Sequence, residues 1–351
     1  MNASVHRNTP SVAVIGPRGE VIRQVEYLRK VADGPVQALV TRQQHDVAGR
    51  AVAQRDPRLP TPNTRTVFAL NGQALNTINV DAGVNITLPG LAGEPRQTWD
   101  ARGNHRRMSH DPQLRLVSLE ENGAADIEKN SYAAATADPR YNLRGNLIEQ
   151  KDPAGTVEFR SYALTGQLLS ETRTFEDART FTSGLLFSPL GALLESIDAG
   201  GHRQQSTYDA AGQLTKVQLQ ISGQAWQPIL NDMQYNAEGK VIEQQSANGV
   251  TSHWIYNDAN GRLCRHYAQK ASGQTLKDDE YRHDRIGNIT VIRDHTYTPT
   301  YFRNQRVDGV SEFDYDSLSR LIRATGHDDA PPRDNPGLPQ PTDPNDRRNY
   351  V

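Results

Sequence analysis

Residues 208–217 read YDAAGQLTKV, and near copies of this stretch recur along the chain. Residues 141–150 read YNLRGNLIEQ, residues 162–171 read YALTGQLLSE, and residues 235–244 read YNAEGKVIEQ. Each copy has a tyrosine, three variable residues, a glycine, one further residue and an aliphatic residue. Asn or Asp at the start of a turn and Gly at a positive φ are typical of hairpins. The stretch therefore predicts a tight turn between two strands.

The repeat extends over most of the sequence, with successive glycines roughly twenty to thirty residues apart, a spacing typical of stacked repeat architectures. The clear copies centre on Gly145, Gly166, Gly191, Gly212, Gly239, Gly261 and Gly287, and Ser319 takes the glycine position in YDSLSRLIRA. Weaker copies centre on Gly19, Gly49, Gly72 and Gly103. We therefore treat the repeat, and not the chain length, as the guide to architecture.

Three positions of each copy are predicted to be structural, namely the tyrosine, the glycine and the aliphatic residue. They are Tyr141, Gly145 and Leu147; Tyr162, Gly166 and Leu168; Tyr208, Gly212 and Leu214; Tyr235, Gly239 and Val241; and Tyr315 and Leu321. Each tyrosine ring is expected to cover the neighbouring repeat while its hydroxyl reaches water or a backbone carbonyl. Tyr141 is thus predicted to contact a neighbouring unit, and Leu147 to begin the next strand.

The segments beside the turns have the composition of strands. TVEFRSY at 156–162 and VTSHWIY at 250–256 are rich in β-branched and aromatic residues, and LTKVQLQI at 214–221 alternates polar and apolar residues. Two strands and two turns fill one repeat. The sequence therefore predicts an all-β protein built from stacked antiparallel hairpins.

Composition excludes several functional classes. The 351 residues carry a net charge of −2 without long runs of one sign, which does not favour nucleic acid or an anionic membrane as partner. Hydrophobic residues make up only 36%, which favours thin layers over one thick core. The single cysteine, Cys264, excludes an intramolecular disulfide framework and a multi-cysteine zinc site. No signal peptide or membrane span is evident, so synthesis in the cytoplasm is expected.

The chain divides by pattern into four segments. Residues 1–103 carry degenerate repeats, 104–140 fit the repeat badly and are predicted to be an irregular insertion, and 141–326 carry the clear repeats. Residues 327–351 are rich in Pro and Asp, which predicts an extended loop. The sequence stops where NYV at 349–351 is predicted to begin a new strand, so we expect a truncation point or a partner that supplies the next strand.

Two groups of side chains could suggest chemistry. His105 and His110 lie near Asp111, but no pattern places them on one face with a third ligand, which favours surface residues over a metal site. Cys264 and His266 are two residues apart and would share one face of a strand. Without a third orienting group, a structural cysteine is the favoured interpretation.

Three aspartates, Asp56, Asp138 and Asp152, directly precede a proline, and Ala and Gly follow the proline after Asp152. Such Asp-Pro pairs ordinarily initiate turns, which explains these residues without a catalytic role. Neither a phosphate-binding loop nor a nucleophile elbow occurs in the sequence. We therefore predict no catalytic residue, no metal ligand and no cofactor.

The repeats resemble the YD repeats of Rhs proteins, whose consensus is close to Y-D-x-x-G-x-L. YDAAGQL at 208–214 matches that consensus outright, and the other copies match with substitutions. The segments 9–29, 41–59 and 80–104 resemble the start of TccC-type C components of bacterial insecticidal toxin complexes. The resemblance continues through YDSLSRLIRATGHD and so covers essentially the whole chain.

This resemblance implies a spiralling sheet that forms part of a hollow Rhs shell. The shell would be closed together with a B component, around a toxic C-terminal segment as cargo, and released as part of a toxin complex. The self-cleaving core region and the toxin of such proteins would lie after residue 351, so neither activity is carried over to any residue here.

Other functions remain open at this stage. Tyr, Trp and Asn side chains on the repeat faces could bind a glycan or a cell surface, and the chain could be a fragment of a polymorphic Rhs contact-dependent toxin. An enzyme is the function that the sequence supports least.

Overall fold

The computed structural model describes residues 5–302, 305–329 and 347–350, and nearly all of them lie in strands or turns. One 3-10 helix, Pro139–Tyr141, interrupts the strands. The strands are β1 Val12–Ile15, β2 Val21–Leu28, β3 Gln37–His45, β4 Ala51–Arg55, β5 Thr64–Phe68, β6 Ala74–Asn79, β7 Gly83–Pro89, β8 Pro95–Trp99, β9 His105–His110, β10 Leu116–Glu121, β11 Ala124–Tyr132, β12 Leu147–Asp152, β13 Gly155–Tyr162, β14 Leu168–Phe175, β15 Thr180–Phe187, β16 Leu193–Ile197, β17 Arg203–Tyr208, β18 Leu214–Gln220, β19 Gln227–Tyr235, β20 Val241–Ser246, β21 Val250–Tyr256, β22 Leu263–Lys270, β23 Thr275–His283, β24 Ile289–Asp294, β25 Thr300–Phe302, β26 Gln305–Val307, β27 Val310–Tyr315, β28 Leu321–Ala324, β29 Gly326–Asp329 and β30 Arg347–Tyr350.

One 26-stranded sheet contains most of these strands. Each strand from β1 to β24 pairs antiparallel with the next one in the chain, and β27 and β28 continue the series after β24. The remaining strands form two separate pairs, β25 with β26 and β29 with β30. The prediction of an all-β protein of antiparallel hairpins is confirmed.

The sheet is a long ribbon with two long edges, where the strands begin and end. Because consecutive strands run in opposite directions, the connections between them lie alternately at one edge and the other. The repeat turns other than the one at Gly103 follow strands that run the same way, so they share one edge from residues 16–20 to residues 316–320. We call this edge the repeat rim. The turn at 100–104 follows β8 and lies on the opposite edge. The opposite edge, which we call the loop rim, carries connections such as 29–36, 56–63 and 80–82.

Near the end of the strand series, the turn after β27 comes back into contact with the end of β2. The backbone N–H of Ser317, in the turn after β27, donates to the carbonyl of Arg29 at 2.9 Å. The Ser317 hydroxyl donates to the carbonyl of Tyr27 at 2.7 Å and accepts from the N–H of Arg29 at 2.8 Å. Tyr27 and Arg29 lie where β2 reaches the loop rim. The repeat rim therefore meets the loop rim one turn later, which confirms the predicted spiral.

Two of the buried residues lie at this seam. Leu28 is 6% exposed at the end of β2, and Asp316 is 1% exposed in the turn that contacts it. A cavity of about 620 Å³ lies between the two layers, lined among others by Leu28, Leu39, Leu318 and Arg320. Elsewhere most strand residues are only half-buried, as expected of a sheet one layer thick.

The segment 104–140 differs from the expected irregular insertion. Strands β9, β10 and β11 continue the sheet without a break, and only residues 133–146 have irregular backbone. Opposite charges face each other across these strands, with Arg106 and Glu121 at 2.6 Å and Arg107 and Glu120 at 3.5 Å. Such pairs can take the place of apolar alternation on an exposed strand, which is why the pattern was hard to see in the sequence.

The predicted C-terminal loop also includes paired backbone. Strand β29 pairs with β30, so residues 326–329 and 347–350 are extended and hydrogen-bonded to each other. Residues 330–346 and 351, which the loop prediction also covers, lie outside the described residues. The division into four segments describes the sequence pattern, since one sheet runs through the first three.

Candidate functional site

The repeat turn at 209–213 has a hydrogen-bonding pattern that its sequence explains. The N–H of Asp209 donates to the carbonyl of Gln213 at 2.9 Å, and the N–H of Gly212 donates back to Asp209 at 3.1 Å. The Asp209 carboxylate accepts from the N–H groups of Ala211 and Gln213, each at 2.9 Å. Gly212 has φ +80°, a backbone conformation that is unfavourable for residues other than glycine. Ser319 adopts the same region, with φ +61°.

Five tyrosine hydroxyls connect a repeat to the preceding one. Each hydroxyl donates to the carbonyl of the aliphatic residue that begins a strand after the previous repeat turn. The bonds are Tyr132 to Leu116 at 3.1 Å, Tyr162 to Leu147 at 2.6 Å, Tyr208 to Leu193 at 2.9 Å, Tyr235 to Leu214 at 2.8 Å and Tyr256 to Val241 at 3.1 Å. Burial raises the pKa of the Tyr132, Tyr162 and Tyr235 hydroxyls, so the protonated donor persists.

Tyr141 does not take part in this series, although its motif is among the clearest in the sequence. It ends the 3-10 helix, its side chain is exposed, and the guanidinium of Arg140 lies 6.0 Å from its ring. Tyr132, at the end of β11, takes the inter-repeat position instead. The connection 133–146 is longer than a normal repeat turn, so Ala133 pairs with Asn146 across it and Tyr141 lies on the outside.

The other predicted residues occupy corresponding places in their turns. Leu168 lies opposite Tyr162, Leu214 opposite Tyr208, Val241 opposite Tyr235 and Leu321 opposite Tyr315. The glycines Gly145, Gly166, Gly212 and Gly239 all have positive φ. Leu321 is largely exposed, with a relative exposure of 54%. That these positions carry the stability of the stack stays a prediction.

The residue directly after the glycine makes contacts that the sequence analysis missed. Long polar side chains at this position, and Arg115 at the equivalent position after Leu114 (φ +63°), reach along the rim to a backbone carbonyl of the next repeat turn. They are Arg50 to Ala69 at 2.6 Å, Gln73 to Gly93 at 3.3 Å, Arg115 to Gly145 at 2.8 Å and Lys240 to Gly261 at 2.7 Å. The signal in the sequence was the recurrence of a long hydrogen-bonding side chain at one variable position.

The same cations cover the aromatic residue of the next repeat. The Arg115 guanidinium lies 4.2 Å from the Tyr132 ring, and the Lys240 ammonium lies 5.3 Å from the Tyr256 ring. Arg115 also pairs with Asp111 in its own turn at 2.6 Å and lowers the pKa of that carboxyl. Each such side chain therefore joins its own turn, the next aromatic ring and the next turn.

The histidines and the cysteine considered above lie on strands of the sheet, and two of the histidines stack on tryptophans. His105 stacks on Trp99 with ring centroids 4.8 Å apart, and His266 stacks on Trp254 at 4.6 Å. Burial lowers the pKa of His266, and Cys264 is a free, half-buried thiol. Within the described residues, no group of three or more His, Cys, Asp or Glu side chains could hold a metal ion.

The three carboxylates near prolines bind neighbouring groups in the structure. Asp56 pairs with Arg58 at 2.8 Å, and this contact lowers the Asp56 pKa to about 2. Asp152 accepts two bonds from Arg173, at 2.9 and 2.7 Å, and Asp138 accepts from a backbone N–H of the 3-10 helix. None of the helices in the described part of the chain has the length and apolarity to cross a bilayer.

Known proteins resemble the chain along its length, although no family model matches it. The toxin subunit YenC1 of Yersinia entomophaga is 28% identical over an alignment of 402 residues that covers 100% of this chain. Toxin subunit YenC2 of the same organism is 28% identical and is aligned with 93% of this chain. The chain spans 41% of the length of YenC1 and 39% of the length of YenC2.

Solved structures agree with these relatives. A chain of the TcdB2-TccC3-Cdc42 crystal structure superposes with a TM-score of 0.89 at 29% identity, covering 99% of this chain and 18% of the other. A structure of the Photorhabdus luminescens Tc holotoxin pore superposes with a TM-score of 0.85 at 29% identity, covering 92% of this chain and 17% of the other.

The fold and its repeats resemble those of Rhs-type repeat proteins. Along its length the chain is similar to toxin subunits of this kind and to the TcdB2-TccC3 structures, as its motifs predicted.

Proposed function

We propose that the chain is a structural layer of a hollow shell in a Tc-type toxin complex. The observation that carries this proposal is the seam between Ser317 and the end of β2, where the ribbon has wrapped round once. A ribbon that closes over itself encloses space, as a closed sheet of many strands does. Wrapping also covers edges that a long series of hairpins would otherwise expose to aggregation.

A partner and a cargo are part of the same proposal. We propose a B component as partner, because solved structures that this chain resembles combine TcdB2 with TccC3. The cargo would be a toxic C-terminal segment in a longer form, since the chain spans 41% of its relative YenC1. The shell would assemble after synthesis in the bacterial cytoplasm and be released as part of the toxin complex.

A role without catalysis is part of the proposal. The side chains that recur along the rim, Tyr162 and Arg115 among them, contact backbone carbonyls of neighbouring repeats and so hold consecutive repeats of the sheet together. The Asp residues of the turns are engaged by their own turn N–H groups and cations, as Asp111 is by Arg115.

Co-expression of the full chain with TcdB2 tests this function. We expect the chain alone to self-associate or to be poorly soluble, and to enter a defined complex with TcdB2 that electron microscopy shows as hollow. A monodisperse monomer that ignores TcdB2 at high concentration would contradict the proposal. Glycan-array binding by the chain without TcdB2 would favour a carbohydrate-binding module instead.

A further inference from the structure

Four arginines form a row on one face of the sheet between β2 and β5. Arg23 of β2 lies directly opposite Arg42 of β3, and Arg42 lies directly opposite Arg55 of β4. Arg65 of β5 lies opposite Ala53, two residues before Arg55, and so shares this face. Residues directly opposite each other on neighbouring strands have Cβ atoms about 5 Å apart. We call these four residues the arginine row.

The fold leaves the charges of the arginine row uncompensated. Arg23, Arg42 and Arg65 are exposed, and the half-buried Arg55 makes one 3.5 Å contact with the carbonyl of Pro60. Within the described part of the chain, none of the four forms an ion pair with a carboxylate. The paired positions of this face from β1 to β7 carry no Asp or Glu. Like charges directly opposite each other destabilise a sheet, so the row costs folding free energy.

Arginines on later strands of the sheet have acidic partners instead. Arg203 of β17 pairs with Glu195 of β16 at 2.5 Å, and Arg265 of β22 pairs with Asp278 of β23 at 2.6 Å. Cross-strand pairs of this kind stabilise a sheet. The arginine row is therefore a concentration of positive charge that the fold does not use, and such a surface attracts anions.

A small cavity lies within the row, between Arg42 and Arg55. Its volume is about 180 Å³, and Ala53, Pro60 and Pro62 form apolar parts of its wall. A water molecule occupies about 30 Å³ of liquid, so the cavity has room for a carboxylate and the methylene groups that carry it. Guanidinium groups bind the two oxygens of a carboxylate with matching geometry, and the apolar wall suits the aliphatic stem.

We propose that the arginine row binds an acidic polypeptide segment of another protein. Carboxylates of the segment would bond to the guanidinium groups, and its aliphatic side chains would pack on Val14 and Val67, which are exposed on the same face. A single-stranded nucleic acid is disfavoured because its bases stack on aromatic side chains. From β1 to β7, which the structure describes throughout, Tyr27 is the only aromatic residue at the paired positions of this face.

The arginine row lies on a face of the sheet, not on the repeat rim, and its proposed ligand does not depend on the shell function. Binding of a fluorescein-labelled peptide of alternating Glu and Val to the full chain tests it. Arg42→Gln with Arg55→Gln removes two charges from the row, and Arg102→Gln with Arg285→Gln removes two from exposed turns elsewhere as the control. By fluorescence anisotropy at low salt, the row variant should bind at least about tenfold more weakly, and the control within about threefold of the unsubstituted chain.

The stability of the row variant provides a second readout. Because the substitutions relieve repulsion between like charges, the row variant should unfold at the same urea concentration as the unsubstituted chain or at a higher one. A lower urea midpoint would show that the arginines serve the fold and would overturn the proposal. Equal peptide binding by the row variant and the control, or binding that high salt leaves unchanged, would overturn it too.

Other anions are tested in the same way. Binding of heparin or of phosphatidylglycerol vesicles that depends on the row, without binding of the Glu-Val peptide, would assign the row to a sulfated glycan or a lipid surface and overturn the proposed ligand. Co-expression with TcdB2 tests the shell function separately, so either proposal can fail without the other.

Discussion

The hydroxyl of Ser317 donates a 2.7 Å hydrogen bond to the carbonyl of Tyr27, which lies 290 residues earlier in the chain. The same oxygen accepts from the N–H of Arg29. These bonds join the turn 316–320 to the end of β2, and they mark how many strands complete one turn of the spiral. Closing a loop of this length costs more conformational entropy than closing a local hairpin does.

Replacing Ser317 by Ala should destabilise the protein by about 1–2 kcal/mol, because the N–H of Arg29 loses its acceptor in a partly buried seam. Urea unfolding measures the change in the free energy of unfolding. The exposed Ser222, replaced by Ala, is the control and should change stability by less than about 0.5 kcal/mol. Equal effects of the two substitutions would mean that the seam hydroxyl does not stabilise the spiral.

Tyr162→Phe should lower the free energy of unfolding by about 0.5–1.5 kcal/mol, since it removes the 2.6 Å bond to the Leu147 carbonyl and keeps the ring. Tyr141→Phe should have no measurable effect, because that side chain is exposed outside the inter-repeat series. Both tyrosines begin a copy of the sequence motif, but only Tyr162 makes the inter-repeat hydrogen bond. Comparing the two variants therefore shows whether stability depends on that bond or on the motif alone. A larger loss for Tyr141→Phe would reverse this assignment.

Arg115→Met should cost about 1–3 kcal/mol of stability, because it removes the bonds to Asp111 and to the Gly145 carbonyl. Arg58→Met is the control, since Arg58 is exposed and pairs only within its own turn. Hydrogen exchange provides the local readout, and we expect faster exchange of amides near residue 145 in the Arg115 variant alone. Unchanged exchange there would indicate that Arg115 stabilises only its own turn.

Stability should fall as the pH is lowered below about 4. Contacts with Arg lower the pKa values of Asp46, Asp111 and Asp56 in the folded chain, the last to about 2. A depressed pKa stabilises the fold above the carboxyl's unfolded value, and this stabilisation is lost as the pH falls through the folded value. Urea midpoints measured from pH 6 to pH 2 check the direction. Asp111→Asn should flatten the profile, and an unchanged slope would exclude a contribution from that carboxyl.

Local chemistry in the sequence was sufficient to predict the hairpins. The Asp or Asn that begins a turn and the Gly that ends it act within a few residues, as the turn from Asp209 to Gly212 does. The charged strands β9 to β11 were missed because cross-strand pairs such as Arg106 with Glu121 become visible only when the register is known.

The sequence by itself therefore determined the all-β class, the turn positions and the likeness to Rhs repeats, because each depends on short-range patterns. Only the tertiary structure decided that Tyr132, and not Tyr141, joins the stack, and that Arg115 reaches the next turn. It alone decided which turn meets β2. Contacts between residues such as Ser317 and Tyr27 depend on the accumulated twist of every intervening strand, and no local pattern in the chain encodes that sum.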